Sequence, residues 1–99
     1  MEIKDNSVRI TGVRPELLIA MMIFNEVYMA HKREFVITSL LDGKHSATSL
    51  HYTGCAFDCR IYEDDVNQAI LGDIKHKLNH HYDVVLEGNH IHCEFQPRM

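Results

Sequence analysis

The chain has 99 residues, enough for one small domain (residues 1–99) and near the lower end of what folds unaided. Its 45% hydrophobic and 24% charged residues are the balance of an ordinary globular protein. A formal net charge of −4, with no run of Lys or Arg, excludes a duplex-DNA binder, whose affinity rests on neutralising phosphates.

Three cysteines are too few, and odd in number, for a disulfide framework, so a reduced, cytosolic place of synthesis is expected. The first residues, Met1-Glu-Ile-Lys-Asp-Asn6, do not read as a signal peptide. The longest apolar run, residues 17–24, is too short to span a bilayer, so no membrane insertion is expected.

In chain order, residues 7–13 read as a short strand or an extended lead-in. Arg14-Pro15-Glu16 opens a helix over residues 15–31: proline suits the first turn and Glu16 suits its positive end. Leu17, Met21, Phe24, Val27 and Tyr28 recur at helical spacing, and Met21, Met22 and Met29 read as core filler. So apolar a helix in so small a domain leaves room for a homo-oligomer. Residues 34–41 are rich in β-formers and predict a strand. A loop follows from Asp42 through Gly54, and residues 56–62 alternate as a second strand.

Residues 64–80 predict the second helix, acidic at its start and basic near its end, with Val66, Ile70, Ile74 and Leu78 as its buried stripe. His80-His81 is placed at its end; His31 and His76 read as surface residues. Residues 82–86 and 90–95 form a hairpin about Glu87-Gly88-Asn89, where Gly and Asn tolerate positive φ. The expected fold is α+β: two helices packed on a small, mainly antiparallel sheet.

Eight histidines in 99 residues are the first sign of chemistry, since imidazole is the commonest metal ligand. Two segments carry it. In Ser49-Leu-His51-Tyr-Thr-Gly54-Cys-Ala56-Phe-Asp58, the strand puts Ala56, Asp58 and Arg60 on one face and Cys55, Phe57 and Cys59 on the other. A buried Asp58 is costly unless it is paired or binds a metal. In Glu87-Gly-Asn89-His90-Ile91-His92-Cys93-Glu94-Phe95, His90, His92 and Glu94 share one face. If that strand lies beside residues 56–62, a site of two histidines and one carboxylate results. Three protein ligands with a fourth position open is the catalytic zinc pattern. Cys55, Cys59 and Cys93 lack zinc-knuckle spacing and read as small buried hydrophobes.

The pattern Ser-x-His-x-x-Gly-x-Ala-x-Asp, followed at a distance by a His-x-His hairpin strand, resembles the D-alanyl-D-alanine zinc peptidases. These belong to the wider group that includes lysostaphin and the hedgehog domain. The resemblance covers residues 35–97, with Ser49, His51, Gly54, Ala56 and Asp58 all in place. It implies a hedgehog/DD-peptidase-like fold, Zn2+ as cofactor, and His51, Asp58 and His92 as ligands. It also implies hydrolysis of peptide bonds in bacterial cell-wall peptides, as carboxypeptidase or endopeptidase. The implied substrate is a peptidoglycan stem peptide or dipeptide. Compact relatives are common among phage and bacterial lysis proteins, which implies a phage-encoded endolysin released to the cell wall.

Many relatives carry an acid three positions before the last zinc histidine. That position holds Asn89 if the ligand is His92 and Glu87 if it is His90. The ending Cys93-Glu94-Phe95 resembles that of relatives and favours His92, leaving Glu87 and His90 as proton-transfer groups. The arginine that relatives place upstream is absent; Lys44, His45 or Arg60 would take its role. Ser49 would hold the site loop, and Glu94 is read either as orienting a ligand or as a surface charge. Two other readings stand beside the peptidase: a non-catalytic zinc module of the same fold, such as a phage-particle component, and a metal-independent interaction protein.

Overall fold

The computed structural model describes residues 1–5, 14–41 and 56–96. His51, Ser49, Lys44, His45, Gly54 and Cys55, together with the lead-in at 7–13, lie outside the described residues.

Among the described residues the elements in order are β1 (Glu2–Ile3), α1 (Pro15–Ala30), β2 (Val36–Leu41), β3 (Ala56–Arg60), α2 (Val66–Lys77), β4 (Tyr82–Glu87) and β5 (His90–Phe95). The strands form one five-stranded sheet in the order β1-β2-β3-β5-β4. β1 pairs with β2 in parallel and the other three pairings are antiparallel, so the sheet is mixed. β1 carries no legible period; it is held by Glu2 N–H donating to Phe35 O (2.9 Å) and Lys4 N–H to Ile37 O (2.8 Å).

Pro15 stands at the start of α1 and Glu16 in its first turn. The helix stops in a left-handed turn at Lys32, φ 60°. There Lys32 N–H donates to Met29 O and Arg33 N–H to Tyr28 O, both at 2.9 Å, which satisfies carbonyls that the helix leaves free. Leu17, Met21, Phe24, Val27 and Tyr28 are buried, as their spacing predicts, and Ala20 is buried with them. Met22 and Met29 are about two-thirds exposed, not core filler. Met22 and Met29 lie on the exposed side of α1 that also carries Asn25 and Glu26.

α2 is shorter than expected at both ends. Tyr62 leaves the β3 ladder and its N–H donates to the Asn67 side chain (3.0 Å), so the chain turns before the helix starts. At the far end Leu78 adopts extended backbone. His80 and His81 therefore lie beyond the helix, their rings 4.1 Å apart, rather than on its last turn. Lys75, His76 and Lys77 occupy that turn and suit its negative end.

Both helices contribute to one core with Phe35 and with Ile37, Phe57, Cys59, Val84, Ile91 and Cys93 of the sheet. Phe57 sits edge-on to Phe24 (4.9 Å between centroids) and to Phe35 (5.9 Å). Burying an aromatic or aliphatic side chain of this size contributes roughly 1.5–3 kcal/mol. Helices thus cover one face of the sheet; along β5 burial alternates residue by residue, leaving His90, His92 and Glu94 on the other face.

Candidate metal centre

The open face is built by strand parity and by register. β5 lies between β3 and β4, which sets Asp58 opposite His92, Arg60 opposite His90 and Ala56 opposite Glu94. On the other side of β5, Glu87 faces His90, Val85 faces His92 and Asp83 faces Glu94. Directly opposed residues of antiparallel strands share a face, so three short rows of side chains cross it.

The central row carries the closest contact: His92 Nδ1 lies 2.8 Å from Asp58 Oδ1. The other ring nitrogen, Nε2, lies 3.1 Å from Glu94 Oε1. His90 Nε2 approaches the same Asp58 oxygen at 3.7 Å and Glu87 Oε1 at 3.0 Å. Both histidines of the His-x-His pair thus converge on one carboxylate oxygen. His90 Nδ1 meets Asn89 Oδ1 at 2.7 Å, so Asn89 orients His90. The Asp58 and His92 side chains are only 18% and 19% exposed, whereas Glu87 is 52% exposed at the hairpin end. Burial alone would lower the pKa of His92. Hydrogen bonds to Asp58 and Glu94, and the charges of both, outweigh it and raise the pKa above the ordinary imidazole value.

The hairpin turn closes without left-handed backbone at Gly88 or Asn89, contrary to the reason given for placing it there. β2 supplies a residue that sequence reasoning missed. A register shift between Ile37 and Ser39 moves β2 from pairing Ile37 with Cys59 to pairing Ser39 with Asp58. Such an irregularity re-aims side chains, here setting Ser39 on the open face beside Asp58. Gln96 was missed too: its Nε2 donates to Glu94 Oε2. Alternation past Glu94 was the available signal for Gln96, and no sequence signal marks the shift in β2.

Asp58 and His92 supply two donors of types that zinc takes. An imidazole nitrogen and a carboxylate oxygen are ordinary zinc ligands, and the acids Asp58, Asp83, Glu87 and Glu94 share a face with Arg60. Among the described residues no group of three His, Cys, Asp or Glu side chains is set to hold a metal ion. The third ligand expected from the sequence, His51, lies outside those residues.

Cys59 and Cys93 are buried on the helix-covered side. Burial pushes the Cys59 thiol up to about 12 and raises Cys93 as well, so neither offers a thiolate to this face. Beside the site, an open depression of about 630 Å³ runs over β4, past His80, Tyr82, Asp83 and Val85, to His92 and Glu94. Among the described residues no helix is long and apolar enough to cross a membrane. No family model, curated protein or solved structure matches the chain.

Proposed function

We propose that this chain is a zinc-dependent peptidase that hydrolyses peptide bonds in bacterial cell-wall peptides. The observation that carries the reading is the Asp58–His92 pair at 2.8 Å, with the Glu87–His90 pair beside it on the same face. The resemblance of residues 49–58 and 90–92 to the D-alanyl-D-alanine peptidase group supplies the substrate class. His51, Asp58 and His92 would hold the ion. When bound, zinc polarises a carbonyl and lowers the pKa of water from 15.7 to about 7.

The chain's own groups then have distinct tasks. Glu87 takes the proton from the attacking water and returns it to the leaving amine, directly or through His90. His90 suits that relay because its Nε2 lies between Glu87 and Asp58. Arg60, opposite His90, steadies negative charge on the substrate, a task that Lys44 or His45 shares. The depression over β4 offers the peptide a place to lie beside His92.

The test is cleavage of a synthetic D-alanine-terminated stem peptide by zinc-loaded protein, read by mass spectrometry. Wild type is expected to cleave it. Glu87→Gln is expected to keep its zinc and to lose about 10²-fold or more in turnover. A wild type that holds stoichiometric zinc and cleaves none of a panel of stem peptides would leave the non-catalytic zinc module as the better reading.

A further inference from the structure

We infer that this chain forms a two-fold dimer through the outer side of α1, with Met29 of each copy seated in the hollow between α1 and β1 of the other. The pairing is independent of the zinc reading, because the helices cover the face of the sheet opposite Asp58 and His92.

Among the described residues, most of the large apolar side chains left open gather in one place. Met1, Ile3, Leu18, Ile19, Met22 and Met29 are each about two-fifths to two-thirds exposed. The members from α1 and those from the β1 end of the chain meet at a hollow of about 390 Å³, where Met1, Ile3 and Leu18 surround Met21 and Ile37. Together they expose roughly 600 Å² of apolar surface, the upper end for a monomer's largest patch and close to one partner's share of a small specific interface.

The spacing along α1 is that of a helix seam. Pro15, Leu18, Met22, Asn25 and Met29 follow one another at alternating steps of three and four residues, the stripe that one helix presents to another. Glu26 lies at its margin, turned to Lys77 of α2 at 3.4 Å. Asn25 is the amide within the stripe, its Nδ2 3.6 Å from Met29 Sδ. A lone amide in such a seam fixes register at some cost in stability.

A second copy fits because the surface carries both halves of one contact. Met29 projects and the hollow beside Leu18 receives. Leu18 and Met29 are separated by about three helical turns, roughly 16 Å, so they lie on the same side of α1. A two-fold axis between Met22 and Asn25, relating antiparallel α1 helices, sets Leu18 opposite Met29 of the other copy and Met22 opposite Asn25. One operation then fills both hollows, and the contact closes at two copies. Methionine suits the role, since its unbranched side chain fills irregular gaps. The antiparallel arrangement also lays the start of α1, with Glu16, beside the end of the other α1, where Lys32 is exposed. Opposite helix ends and opposite charges are thereby brought together. The dimer stands helix against helix and leaves both open faces turned outward.

Sedimentation equilibrium on the full chain, over about 1–200 µM, measures the pairing. Wild type is expected to reach twice the chain mass across that range. Met29→Glu and Leu18→Lys, each counted twice across the axis, are each expected to weaken the dimer by about 100-fold or more. The double variant Leu18→Lys/Met29→Glu sets opposite charges face to face at both ends of the seam and should recover much of that loss. Both side chains are open in the single chain, so an unchanged amide spectrum is expected for every variant. Methyl spectra of wild type need no variant: the Met22 and Met29 signals should move with concentration, and those of Val85, on the far side of the sheet, should not.

A wild type that stays monomeric, or a dimer that neither single variant weakens, would overturn the pairing. Growth beyond two copies would overturn its two-fold closure. A double variant that pairs no better than the single ones would overturn the register that seats Met29. Should the variants fail to fold, Met22 and Met29 signals that ignore concentration would overturn it alone.

Discussion

The two faces of the sheet are made by the same strands and do opposite things. On β3, Phe57 and Cys59 are fully buried under the helices, while Asp58 between them stays partly open and Arg60 is exposed. On β5, Ile91, Cys93 and Phe95 are buried and His90, His92 and Glu94 are not. A strand alternates sides at every residue, so stability and chemistry are separated by parity rather than by region. A one-residue slip of β5 would bury two histidines and a glutamate and expose the core. The core therefore fixes the register that brings Asp58 to His92.

The largest effect should come from the covered face. Phe57→Ala removes a fully buried ring from the aromatic cluster and is expected to cost about 3–5 kcal/mol in urea unfolding. A cost below about 1 kcal/mol would mean that this face is not the core. The open face should behave differently. His92→Ala is expected to abolish zinc binding while changing the stability of the metal-free protein by about 1 kcal/mol or less.

The pH dependence of metal-free protein sharpens the contrast. The native pKa of His92 is raised, so its charged form contributes stability that is complete below the unfolded value of about 6.5. That contribution is lost as pH rises through the raised native value. Thermal midpoints measured across pH 5–9 should show the loss in wild type and not in His92→Ala; identical profiles would contradict it. The smallest effect is expected at Val85, which faces His92 from β4 and is 46% exposed: Val85→Thr should shift stability by no more than about 0.5 kcal/mol.

Parity was the part of this arrangement that the sequence made legible. Alternation in Ala56-Phe-Asp-Cys-Arg60 and His90-Ile-His-Cys-Glu94 assigns each residue to a face without knowledge of the fold. Adjacency was not legible. That β5 lies against β3, with Asp58 opposite His92, depends on strand order, which side-chain periodicity does not encode. β1 escaped notice because two residues have no period, and Ser39 because a register shift breaks the alternation that would have placed it. Met22 and Met29 were misplaced on composition: they lie off the stripe of Leu17, Met21, Phe24, Val27 and Tyr28, on the exposed side with Asn25 and Glu26.

The proposed zinc site is formed by Asp58 and His92 with His51. The most direct test is bound zinc per chain in protein purified without a polyhistidine tag, for wild type, His51→Ala and His92→Ala. Close to one zinc per wild-type chain, with most of it lost in both variants, is the predicted result. No zinc in the wild type, or zinc that is indifferent to both substitutions, would contradict it.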